Sequence, residues 1–160
     1  MNIVLLEPEI PANTGNIGRS CAATGTALHL IGPMGFDISD KQIKRAGLDY
    51  WQFLDVSCYD DLAEFLDRNP MARERLIMSS TKAERVYSDF KFRPDDYIMF
   101  GKESAGIPEE IMAQNRDFCV RIPMAGPFRS LNLGNSVAIV LYEALRQNGF
   151  EGLKLNGKGI

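Results

Sequence analysis

Three stretches of the chain gather residue types suited to directed polar chemistry. In the first, Asn13-Thr14-Gly15-Asn16-Ile17-Gly18-Arg19, an asparagine opens a helical pattern and an arginine follows about two turns in. Arg19 stands near apolar Ile17 and Cys21, and a partly buried guanidinium needs an anionic or carbonyl partner. Its planar fork matches phosphate or carboxylate with two parallel bonds. The plain structural role for Asn13 is a helix cap. In the second stretch, Phe100-Gly101-Lys102-Glu103-Ser104-Ala105-Gly106-Ile107-Pro108, glycines at a strand end let a backbone approach a flat or bulky ligand. Glu103 can accept from an amine, a hydroxyl or a cation; the alternative is a tight turn with a solvated Glu. The third stretch, residues 121–136, carries Arg121, Arg129, Ser130, Asn132, Asn135 and Ser136 in a loop broken by Pro123, Gly126, Pro127 and Gly134. Ser130 or Asn132 can cap the helix that follows, but one cap needs one such residue. The surplus points to a site.

Other chemistries fit poorly. Three cysteines (Cys21, Cys58, Cys119) are widely spaced and one histidine is present, so a metal site is not expected. The cysteines read as reduced thiols of an intracellular, cytoplasmic protein. His29 lies inside an apolar strand and reads as a hydrogen-bonded core imidazole. Residues 101–108 are no Walker loop, since Ile107 and Pro108 stand where Lys and Ser/Thr are needed. Glu7/Glu9 and Glu109/Glu110 read as loop and helix-start charges. The N-terminus reads as a first strand and not a signal peptide, and no apolar run approaches membrane-spanning length.

The elements that must position these stretches follow from the pattern of the chain. With 160 residues and 45% apolar content, one globular domain with a real core is expected, spanning 1–160 with a loose tail from about residue 150. Residues 2–6, 27–31, 75–79, 97–100 and 118–122 are short apolar runs without alternation, as strands buried on both faces require. Residues 48–56 are expected to end in a further strand. Helical patterns fill the gaps, with Gly25 ending the first and the most apolar helix at 133–147. A short basic helix is expected after Ser39 and Asp40, with Lys41, Lys44 and Arg45. The alternation predicts an α/β domain of three layers with a mostly parallel sheet. In such sheets ligands gather at the carboxyl ends of strands, where residues 79–82, 101–106 and 121–132 all begin.

Together these loops resemble the SPOUT superfamily of RNA methyltransferases. The match rests on Asn13 to Arg19, Phe100 to Pro108, Arg121-Ile122-Pro123-Met124 and Ser130-Leu131-Asn132-Leu133-Gly134-Asn135-Ser136. Glu7-Pro8-Glu9-Ile10-Pro11 and Lys44-Arg45-Ala46-Gly47-Leu48-Asp49-Tyr50-Trp51 are similar to its TrmL branch, the 2′-O-methyltransferases of the tRNA wobble nucleotide. The resemblance implies a deep trefoil knot at the C-terminal end, an exception to the rule against knots. It also implies S-adenosylmethionine as co-substrate and a homodimer whose active site uses both subunits. Ser79, Gly101, Ile122, Ser130 and Leu131 resemble the cofactor-contacting positions. Asn13, Glu103, Ser130 and Asn132 resemble the polar set of the catalytic pocket, and Arg19 the residue assigned to activate the ribose hydroxyl. A guanidinium keeps its proton to above pH ~12, so an orienting role suits Arg19 better. Gly134 stands where many relatives carry Ser. The apolar face of the last helix, Val137, Val140, Leu141 and Leu145, fits a dimer face as well as a core.

The net charge of −3 opposes binding of tRNA by bulk charge. A local patch of Lys41, Lys44, Arg45, Lys82, Arg121 and Arg129, doubled in a dimer, resolves that tension for an anticodon stem-loop. The expected reaction is methyl transfer to the ribose 2′-hydroxyl of the wobble nucleotide, a cytidine or modified uridine. Two alternatives remain: the same chemistry on another tRNA or rRNA site, and a non-catalytic cofactor-binding dimer on RNA.

Overall fold

Six strands form one sheet with order β3-β2-β1-β5-β4-β6 and every pairing parallel, in a computed structural model that describes residues 1–37 and 50–157. They are β1 (Asn2–Leu6), β2 (Ala27–Ile31), β3 (Val56–Tyr59), β4 (Leu76–Ser79), β5 (Tyr97–Phe100) and β6 (Cys119–Val120). Four α-helices lie among the described residues: α1 (Pro11–Thr24), α2 (Leu62–Arg68), α3 (Glu109–Ala113) and α4 (Leu133–Gln147).

Successive residues of a strand point to opposite faces. In β1, Ile3 and Leu5 therefore join Ile17 and Cys21 of α1 and Val137, Val140 and Leu141 of α4 in one core layer. Val4 and Leu6 join Phe65 of α2, Ile107 and Met112 in the other. This is the three-layer arrangement that the unbroken apolar runs predict. Val137, Val140, Leu141 and Leu145 are all used in this core, so they offer no dimer face.

Several boundaries move. β3 starts at Val56, where the sequence suggested a strand ending, because Trp51–Phe53 forms a 3-10 turn first. β6 shrinks to two residues: Arg116–Phe118 winds into another such turn, and Arg121 leaves the sheet to bridge Val86. Asn13 is no cap; Ile10 holds that place and Pro11 pre-sets the first turn. The tail is partly docked, with Phe150 and Leu153 packed on the core. The expected basic helix, with Lys41, Lys44 and Arg45, lies outside the described residues.

The order of strands reverses direction between β1 and β5. Leu5 is in register with Phe100, so the loops leaving these two strands emerge side by side. A crevice at that switch point is where open parallel sheets bind ligands.

Candidate active site

The cleft at this carboxyl edge has a volume of about 490 Å³, within the usual range of small-molecule sites. All three polar loops wall it: Ser79 to Lys82 after β4, Gly101 to Gly106 after β5, and Ile122 with Met124 and Arg129–Ser136 residues before and within α4. Ile10 and Asn13 from the start of α1 close one side. Ser79, Gly101, Ile122, Ser130, Leu131, Asn13, Glu103 and Asn132 are thus brought together as the sequence suggested.

Arg19 is not among the lining residues. Ile17 and Cys21, one helical turn apart, face the core and are fully buried, and Arg19 between them points outward and is exposed. Its guanidinium lies 4.7 Å from the centre of the Tyr50 ring and makes no ion pair with a described residue. The expectation of a partly buried arginine is corrected; what remains is an exposed cation on the helix that also carries Asn13.

Gly101 is required for a different reason than ligand approach. A Cβ there would fall 2.1 Å from the Gly106 carbonyl carbon and 2.3 Å from the Ile107 nitrogen. The loop folds back on its own first residue: Gly106 N–H donates to the Lys102 carbonyl at 2.8 Å, and Gly106 adopts a positive φ of 72°.

Residues 7 to 13 are clasped onto this loop rung by rung. Lys102 Nζ reaches Glu7 Oε2 at 2.6 Å, and Glu7 itself holds a φ of 49°, unusual for a residue with a Cβ. Ser104 donates from N–H and Oγ to the Glu9 carboxylate, both at 2.8 Å. These bonds from Ser104 lower the carboxyl's affinity for a proton, while Glu7 raises that of Lys102. Glu103 accepts from the Glu9 N–H and from Asn13 Nδ2, both at 2.9 Å. Asn13 Oδ1 in turn accepts from Asn132 Nδ2 at 3.0 Å. Glu7 and Glu9 are more than loop charges, and their place directly after β1, at the ligand edge of the sheet, was the available signal. Glu109 and Glu110 do sit in the first turn of α3 as expected.

The cationic rim is uneven. Lys82 is paired with Glu109 at 2.7 Å, which offsets its charge locally. Arg121 and Arg129 make no ion pair with described residues, and Arg129 lines the cleft. Among the described residues no cluster could hold a metal ion. Burial pushes the Cys21 thiol up to about 12, which leaves it a small apolar group in the core. His29 is buried and bonded to Tyr59 and Asn2, the core role expected of it. No helix among the described residues is long and apolar enough to cross a membrane.

A parallel α/β domain with a polar, glycine-framed cleft at its switch point belongs to the open-sheet class that binds ligands at the carboxyl ends of its strands. More narrowly, the chain belongs to the SpoU rRNA Methylase family, whose profile matches residues 1–142. It is 48% identical over 157 residues to the tRNA (cytidine(34)-2′-O)-methyltransferase of Escherichia coli (strain K12), covering 97% of this chain and 98% of that protein. A solved structure described as structural insights into the 2-OH methylation of C/U34 on tRNA superposes with a TM-score of 0.87 at 46% identity, covering 92% of this chain and 95% of that one. The SpoU methyltransferase AviRb from Streptomyces viridochromogenes, solved in complex with AdoMet, gives a TM-score of 0.82 at 28% identity, covering 92% of this chain and 60% of that one.

Proposed function

We propose that this protein transfers a methyl group from S-adenosylmethionine to the ribose 2′-hydroxyl of nucleotide 34 of tRNA, the wobble position. The observation that carries the reading is full-length identity of 48% with an enzyme named for that reaction, joined to a cleft built by the three loops that resemble the family's motifs. The co-substrate supplies a methyl made electrophilic by its sulfonium. The protein's work is to hold the hydroxyl in line with the methyl and the departing sulfur.

Ser79, Gly101, Ile122, Ser130 and Leu131 are the positions that would hold the cofactor, several through backbone N–H and C=O groups. Asn13, Glu103 and Asn132 shape the wall around it. Arg19 would orient the ribose and a neighbouring phosphate, since a guanidinium has no acceptor with which to take a proton. The hydroxyl proton then leaves to water or a substrate phosphate as the new C–O bond forms. Arg19 stands outside the cleft of its own chain, which supports a homodimer whose second copy completes the site. Exposed Ile139 and Tyr142 on α4 offer apolar surface for that contact.

A deep trefoil knot formed by the loops around residues 101–106 and 121–132 is part of the same reading. It rests on the resemblance of these loops to the SPOUT superfamily and on their meeting in one cleft. Lys41, Lys44, Arg45, Arg121 and Arg129, with Lys82 as a weaker member, would hold the anticodon stem-loop, and a cytoplasmic location follows from that substrate.

The test is mass spectrometry of tRNA nucleosides after incubation with methyl-labelled S-adenosylmethionine, mapped by nuclease fragments. Labelled 2′-O-methylnucleoside at the first anticodon position supports the proposal. Label at another position, or on rRNA as the family's description allows, keeps the enzyme and replaces the target.

A further inference from the structure

Two backbone N–H groups face one another across the cleft wall with three side chains between them. At one end Glu9 N–H donates to Glu103 Oε2 at 2.9 Å; at the other, Asn135 N–H donates to Asn132 Oδ1 at 3.2 Å. Between them Asn13 Nδ2 donates to Glu103 Oε1 at 2.9 Å, and Asn132 Nδ2 donates to Asn13 Oδ1 at 3.0 Å. Backbone N–H groups cannot reverse. An amide in such a row passes direction on, accepting on one side and donating on the other. A row closed by two donors therefore pairs throughout only if a single member accepts on both sides. A carboxylate does this, and here Glu103 is that member.

The position of the row makes this parity matter. Asn13 is only 7% exposed, so water cannot take up a mismatch there. An amide at 103 would rotate Asn13, and Asn13 would rotate Asn132. The Asn132 amide would then meet the N–H that it now caps, at an exposed position, so the loop loses its cap and that N–H turns to water. The error emerges at the wall formed by Ser130, Leu131 and Asn132, which lines the cleft.

We infer that Glu103 is a positioning residue: its single negative charge sets the direction of the Asn13 and Asn132 amides and through them the shape of the 130–133 wall. Its two oxygens hold the Glu9 N–H and the Asn13 amide, so it acts through the groups it orients. The inference rests on the cleft being the S-adenosylmethionine site. Its consequence is that the charge is transferable along the row, while its number must stay at one.

The experiment compares E103Q, N13D and the double variant E103Q/N13D with wild type, by calorimetric titration of S-adenosylmethionine across pH and by thermal melting. E103Q has no carboxylate in the row and should bind about tenfold more weakly or worse. N13D has two facing carboxylates and should be similarly weak at neutral pH. It should recover as pH falls, because one shared proton turns one of the pair into a donor. E103Q/N13D restores one double acceptor and should return to within about threefold of wild type, with a flat pH profile. A double variant no better than the poorer single one overturns the inference, as does an N13D profile that follows wild type. If wild type binds no S-adenosylmethionine, the reading of the cleft falls. The melting temperatures then decide the relay: wild type and double variant above both singles support it, and additive losses reject it.

Discussion

Asn132 donates its side-chain amide to Asn13 across 119 residues of sequence, at 3.0 Å, while its Oδ1 caps α4. One side chain therefore closes the last polar loop onto the first helix and starts the last one. Asn132→Ala removes both bonds. The lost cap alone should cost about 1 kcal/mol of stability. The freed wall should weaken S-adenosylmethionine binding about tenfold. Melting and titration together check this, and a variant indifferent in both would reduce Asn132 to a solvated loop residue.

Gly101→Ala tests whether the loop after β5 needs its tight closure. Every atom that the new Cβ meets within 2.3 Å is backbone, so no flexible side chain can swing aside. The loop must open, at an overpacking cost of about 1–3 kcal/mol. Cofactor binding should be lost well before the fold, since β5 itself is buried on both faces. Near-normal affinity in this variant would show that the clasp between residues 101 and 106 is dispensable.

Much of this fold is legible in the chain because buried parallel strands leave unbroken apolar runs and because Pro11, Gly25 and Pro108 punctuate them. Local signals failed where a partner far along the chain decides. Nothing near Asn13 announces Glu103 or Asn132, so its side chain reads as a cap from sequence and as a relay in the fold. Glu9 looked like a loop charge because its partners, Glu103 and Ser104, lie more than 90 residues away. The outward direction of Arg19 was legible in principle. At about 100° per residue a side chain two places after Ile17 and two before Cys21 faces away from both.

That outward direction leads to a separation of functions. Arg19→Ala should leave the melting temperature and S-adenosylmethionine affinity close to wild type, because the residue is exposed and lines no part of the cleft. Methyl transfer to tRNA should fall by about a hundredfold or more if the guanidinium aligns ribose and phosphate. Single-turnover assays at saturating cofactor measure this directly. Turnover near wild type would remove Arg19 from the reaction.

His29 sets an acid limit on the fold. Its Nδ1 is 2.9 Å from the Tyr59 hydroxyl, and that hydroxyl also accepts from Asn69 Nδ2 at 3.0 Å. With the ring proton on Nε2, the Tyr59 hydroxyl can donate to His29 Nδ1 and Nε2–H to Asn2 Oδ1, which pairs both sides of the neutral ring. On the other side Nε2 is 3.3 Å from Asn2 Oδ1, and Asn2 turns its Nδ2 to the Asp95 carbonyl. A second ring proton, on Nδ1, would force the Tyr59 hydroxyl to turn its own proton away. Burial holds the imidazole down at about 4, against an ordinary value of 6.5, with Asp55 opposing the shift. The unfolded chain therefore takes up the proton first as pH falls. The stability held by neutral His29 is complete above pH 6.5 and drains away toward about pH 4. Between about pH 7.5 and about pH 5 the loss should approach about 2 kcal/mol from this residue. Urea unfolding at the two pH values measures it, and His29→Gln should flatten the difference by that amount while lowering stability at neutral pH. An unchanged pH slope in the variant would remove His29 from the acid sensitivity of the fold.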